Sequence, residues 1–136
     1  MEITSLIILG VIGLAVILAV YVLIKSSSKK ISSAEQLKIK KQWNQIIDEY
    51  KKNPNTAVLE ADKLLSHVLE LLGYEGSVGE KLKKSSALFK NLNDVWTAHK
   101  LRNRIAHEMG LKINQNEAKS ALNIFKNALK DLGANI

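Results

Sequence analysis

The sequence predicts an all-α protein: a single transmembrane helix at the N-terminus, then a small antiparallel bundle of four main helices and one short one. Three observations carry that prediction. Residues 3–24 read "ITSLIILGVIGLAVILAVYVLI" without one charged side chain, and about 20 apolar residues are enough to cross a bilayer as a helix. Beyond them, apolar residues recur at helical spacing between repeated helix-capping sequences. No stretch alternates apolar and polar residues for long enough to make a strand.

The apolar run exceeds the ~7–15 residues of a cleaved leader's core, no basic residue precedes it, and no small-x-small cleavage site follows. It therefore reads as a retained anchor. Glu2 is the only charged side chain before it, whereas Lys25, Lys29 and Lys30 come directly after. Basic flanks stay in the cytoplasm. The expectation is a single-pass protein of the inner (plasma) membrane, anchored by residues 1–24, with the remainder cytoplasmic. Residues 25–32, "KSSSKKIS", offer little to pack and read as a polar linker.

Residues 33–136 suffice for one small domain. Ser32-Ser33-Ala34-Glu35 is a capping-box pattern and opens a helix to about Lys52. Asn53-Pro54 fits a cap followed by proline at the first helical position. That helix carries a wide apolar stripe (Ala57, Ala61, Leu64, Leu65, Val68, Leu72) and ends at Gly73. Ser77-Val78-Gly79-Glu80 is a second box, for a short helix through about Phe89. "NLND" then caps a helix containing "AHKLRNRIAHE", residues 98–108. Asn114 and Glu117 form a third box, and Ala118, Ala121, Leu122, Phe125 and Leu129 mark the buried side of the last helix.

With Glu2 set aside, twenty basic and twelve acidic side chains leave the rest of the chain at +8. A basic module beside a membrane has two obvious polyanionic partners, RNA and anionic lipid headgroups. There is no cysteine, no His-Glu-x-x-His and no pair of histidines four apart, which argues against a metal site and leaves no cofactor implied. The few aromatic residues are scattered and make no base-stacking platform.

The polar crowd in "AHKLRNRIAHE" resolves on a helical wheel. Val95, Ala98, Leu101, Ile105 and Met109 share the arc that must face the bundle, and Arg102 falls inside it. Asn103 and His107 lie one turn apart on a neighbouring face, with His99 a turn further back, while Lys100 and Arg104 point away. An arginine on an apolar side needs a reason. It can pair with a carboxylate, for which Asp62 on the flank of the Ala57–Leu72 stripe is the partner named. It can run its stem out to solvent. Or it can hold a ligand. Eighteen of the twenty basic side chains are lysine, and the two arginines are Arg102 and Arg104. Arginine at these sites suits the planar fork that grips phosphate or carboxylate. His99, Lys100 and Arg104 join it as binding candidates. His107 can move a proton near neutral pH. A phosphate holder and a proton carrier are the two parts that metal-free RNA cleavage needs.

The motif Arg102-Asn103-x3-His107 in "RNRIAH", late in a chain of short helices, resembles the hallmark of the HEPN superfamily of helical bundles. The surrounding segments "NPNTAVLEADKLLSHVLELLGYEG", "VGEKLK" and "LNDVWTAHKLRNRIAHE" are similar to a membrane-anchored bacterial branch of it. The resemblance covers roughly residues 33–135. It implies a bundle that pairs as a homodimer with two motif helices facing each other. In active members this forms a metal-independent endoribonuclease site. By that resemblance Arg102 would hold the scissile phosphate, His107 would act as general base or acid, and Asn103 would orient the histidine or contact the phosphate. The resemblance equally implies an alternative, since many members are non-catalytic: a membrane-tethered interaction scaffold in which the same residues brace the bundle.

Overall fold

A computed structural model describes residues 2–25 and 29–136; residues 26–28 of the expected linker lie outside them. The described residues form six α-helices and one 3₁₀ turn, with no strand among them. The first helix, α1 (Ile3–Lys25), is long and apolar enough to cross a membrane, and its large apolar side chains from Ile3 to Leu23 are exposed. The bundle follows as α2 (Ser33–Lys52), α3 (Pro54–Leu71), a short α4 (Val78–Lys84), α5 (Leu92–His107) and α6 (Gln115–Asp131).

Each start is set by a side chain that accepts an otherwise unpaired backbone N–H. Ser32 caps α2 through the N–H of Glu35, at 3.3 Å. Only this half of the expected capping box forms. The Glu35 carboxylate turns instead to Lys38, at 2.9 Å, and lies 3.6 Å from His67 Nε2; the lysine ammonium outcompetes a backbone amide. Asn53 ends α2 and begins α3 at once: its N–H donates to the Glu49 carbonyl while its side chain accepts from Thr56 N–H. The α2–α3 hairpin therefore needs no loop. Reciprocal boxes start α4 (Ser77 with Glu80) and α6 (Asn114 with Glu117), and Asn91 caps α5.

Two ends depend on glycine. Gly73 (φ +94°) and Gly133 (φ +93°) follow α3 and α6 in a conformation that side chains resist. There Tyr74 and Ala134 donate back to the Leu69 and Leu129 carbonyls, both at 3.0 Å. The short helix is shorter than the sequence suggests. It stops at Lys84, where the Ser85 hydroxyl donates to the Lys81 carbonyl at 2.7 Å, and a 3₁₀ turn over residues 86–88 replaces the stretch expected to reach Phe89. The turn drops Phe89 into the core.

The pairing of ends fixes the topology. Tyr50, near the end of α2, donates to the carbonyl of Gln115 at the start of α6. Gln36, at the start of α2, donates to the Gly133 carbonyl and accepts from Asn135 N–H beyond the end of α6. The two helices thus run antiparallel. Helix α3 is the central element, packed on α2, α5 and α6. Leu64, Leu65 and Leu69 from it meet Trp43, Leu82, Phe125 and Leu129 in the core. Full burial of each such side chain contributes roughly 1.5–3 kcal/mol. Ile31 also packs against this core, so the bundle's contacts begin before residue 33. Asn55, on the first turn of α3, donates to the Leu111 carbonyl (2.6 Å) and accepts from Ile113 N–H (3.0 Å). That clamp holds the α5–α6 connection against the end of the bundle where α5 stops.

Candidate functional site

Helix α5 turns its apolar side to α3 and α6. Val95 and Ala98 are buried; Leu101 and Ile105 are half-buried against the core. Met109, assigned by the wheel to the same arc, is fully exposed, because α5 ends at His107 and the helical periodicity ends with it. Between the apolar positions α5 delivers a row of polar groups to a single acidic residue of α3.

That residue is Asp62, one turn before Leu65 and Ser66 and 1% exposed. His99 Nδ1 lies 2.8 Å from Asp62 Oδ1. Arg102 Nε lies 3.3 Å from Asp62 Oδ2, at ion-pair distance. The N–H is not aimed at the oxygen, so this buried nitrogen has no hydrogen-bond acceptor among the described residues. Arg102 Nη1 donates to Asn103 Oδ1 at 3.1 Å, and Asn103 Nδ2 lies 3.3 Å from His99 Nε2. Asp62, His99, Asn103 and Arg102 therefore close a ring of four polar side chains across the α3–α5 interface. Trp96 meets the His99 ring edge-to-face at 6.0 Å. A buried carboxylate requires such partners, since its desolvation cost falls on the bundle unless charge and donors offset it.

The other sequence-derived candidates are elsewhere. His107 is the last residue of α5 and is exposed, and its side chain makes no hydrogen bond or ion pair among the described residues. It stands outside the ring that gathers Arg102 and Asn103. Arg104 points away from α3 and grips Glu108 with two nitrogens, at 2.9 and 3.4 Å. Glu108 beside it raises the Arg104 pKa further above its already high value. Lys100 is exposed on the same outer face. Arg102 keeps a side chain 34% exposed, so it is both tied inward and reachable from solvent.

The bundle is concave at the end where α5 stops, in a cleft that none of Arg102, Asn103 and His107 lines. This cleft, of about 480 Å³, is lined by Lys52, Asn53, Asn55, Leu111, Lys112 and Ile113. A separate groove of about 370 Å³ between α5 and α6 is floored by Ala98, Leu101, Ala121 and Ile124 and contains none of the motif's polar residues. Among the described residues no three His, Asp or Glu side chains converge as metal ligands.

Two buried polar groups escape the sequence reading. His99 reads as a candidate ligand-binding residue, but its neighbour Ala98 and its spacing to Val95 place it toward α3, over Asp62. Lys81 is buried under α3, where its ammonium donates to Ser66 Oγ (2.9 Å), the Ser66 carbonyl (3.4 Å) and Glu70. Lys81 holds the Glu70 carboxyl below the ordinary glutamate range, by hydrogen bond first and by charge second. A lysine among eighteen gives no sequence signal of that burial.

Scanned against protein-family models, curated proteins and solved structures, the chain matches none of them.

Proposed function

We propose that the chain is a membrane-anchored, HEPN-like helical module that binds and cleaves single-stranded RNA without a metal, its bundle lying on the cytoplasmic side and acting as a homodimer. The observation that carries this reading is Arg102. Its guanidinium is oriented by Asp62 and Asn103 and remains 34% exposed, five residues before an exposed, unengaged His107 on the same helix. In such a site Arg102 holds a non-bridging phosphate oxygen and stabilises the charge that develops there. His107 takes the proton of the ribose 2′-hydroxyl, whose oxygen attacks phosphorus. The bond to the 5′-oxygen breaks, that oxygen is protonated, and a cyclic phosphate is left. One histidine from each protomer supplies the base and the acid. Lys52 and Lys112 in the cleft at the same end favour a polyanion over a neutral ligand.

A second reading is favoured by the burial of Asp62: Arg102 braces α3 to α5 in a tethered scaffold that cleaves nothing. One experiment ranks the two. The full chain in detergent micelles is incubated with single-stranded RNA and chelator, alongside Arg102→Ala and His107→Ala. Cleavage lost in both variants supports the nuclease. Equal cleavage by all three proteins, or none by wild type, leaves the scaffold.

A further inference from the structure

The ring at Asp62 has a direction. Arginine has only donors, so Arg102 Nη1 at 3.1 Å obliges Asn103 to turn its oxygen toward it. The Asn103 amide nitrogen must then face His99 Nε2, 3.3 Å away, and it can only donate. His99 Nε2 is thereby an acceptor with no proton of its own. The ring's one proton sits on Nδ1 and is donated to Asp62 Oδ1 at 2.8 Å. Every other arrangement sets two donors face to face. A doubly protonated His99 meets the Asn103 amide, and a reversed amide meets Arg102. Arg102 enters this chain with one nitrogen engaged. Among the described residues its Nε is buried without an acceptor, while Nη2 also has none and, unlike Nε, is not buried.

We infer that Asp62, His99 and Asn103 are positioning residues: a one-way hydrogen-bond relay that locks His99 as the neutral Nδ1–H tautomer and holds Arg102 with Nη2 presented to a phosphodiester oxygen of RNA. The occupant rests on the function proposed above; the relay does not. His99 and His107 thus have separate roles. The first never touches substrate and sets the pose of the phosphate holder, and the second moves the proton. The inward Nε stays against Asp62 Oδ2 at 3.3 Å, and the outward Nη2 is the donor left for a ligand. Asp62 is what keeps that fork from swinging free into solvent.

The test has two arms on the full chain in detergent micelles. Long-range ¹H–¹⁵N spectra of the histidine rings at neutral pH read the tautomer directly, with His67→Gln and His107→Gln used to assign signals. His99 is expected with its proton on Nδ1. An Nε2–H tautomer, or an imidazolium, overturns the relay. The second arm measures binding of 2′-O-methyl RNA, which cannot be cleaved. His99→Leu is expected to weaken it about tenfold, as loss of one charge-assisted contact does. His99→Gln, which keeps a donor for Asp62 and an acceptor for Asn103, restores binding to within about twofold of wild type. Unchanged binding in His99→Leu overturns the positioning role. A correct tautomer with no RNA binding by wild type leaves the relay standing and removes the phosphate from Arg102, and with it the nuclease.

Discussion

Replacing Arg102 with alanine leaves Asp62 buried with His99 as its remaining partner, and the cost can be worked from the geometry. Breaking a fully buried ion pair typically costs about 3–5 kcal/mol, because the surviving charge stays desolvated. Arg102 is one-third exposed and its Nε–H is misaligned with Asp62 Oδ2, so solvent screening reduces this to about 1–2 kcal/mol. For a bundle of this size that is a fall in Tm of roughly 5–15 °C. In an Asp62→Asn background no charge is stranded, and Arg102→Ala should cost less by about 1 kcal/mol. Tryptophan fluorescence during denaturant unfolding is the right assay, since Trp43 and Trp96 both lie in the bundle and report nothing of α1. Strictly additive effects of the two substitutions would refute the ion pair as an energetic contact.

Other expectations follow from single contacts. His107→Ala, at an exposed helix end, should change stability by no more than about 0.5 kcal/mol in the same unfolding assay. Asn114→Ala and Ser32→Ala each remove the side-chain acceptor that starts a helix and should each cost about 1 kcal/mol, while Glu117 keeps its bond to the backbone N–H of residue 114. The Glu70 pKa is lowered in the folded chain, so its pairing with Lys81 contributes stability above the ordinary glutamate range and loses it as pH falls through the lowered value. Acid unfolding monitored by fluorescence should therefore show a shallower acid limb in Glu70→Gln than in wild type.

Much of the bundle was readable because helix starts are written locally. Ser77 with Glu80, Asn114 with Glu117, and Asn53 before Pro54 each place an acceptor three residues from the N–H it serves, and no tertiary contact is needed to see it. Where a competing contact or the end of a helix intervened, the local pattern misled. Glu35 fits a box but is drawn to Lys38 and His67; Ser85 turns its hydroxyl on the Lys81 carbonyl where α4 stops; Met109 keeps its place in the period after the helix has ended. The site divided in the same way. Asp62 opposite Arg102 follows from two amphipathic faces that must meet, and the structure brings these two residues together. The His99 contact was missed because a histidine beside a buried alanine looks the same whether it faces a carboxylate or a ligand. Lys81 was missed because Ser66 and Glu70, which accommodate its ammonium, lie on another helix.

The decisive measurement is metal-free cleavage of single-stranded RNA by the full chain in detergent micelles, with His107→Ala and Arg102→Ala measured in parallel. The expected result is a product ending in a cyclic phosphate from wild type and none from either variant, with His107→Ala still folded. Intact RNA in the wild-type reaction, or the same products from all three proteins, would contradict the nuclease and leave Arg102 as a brace between α3 and α5.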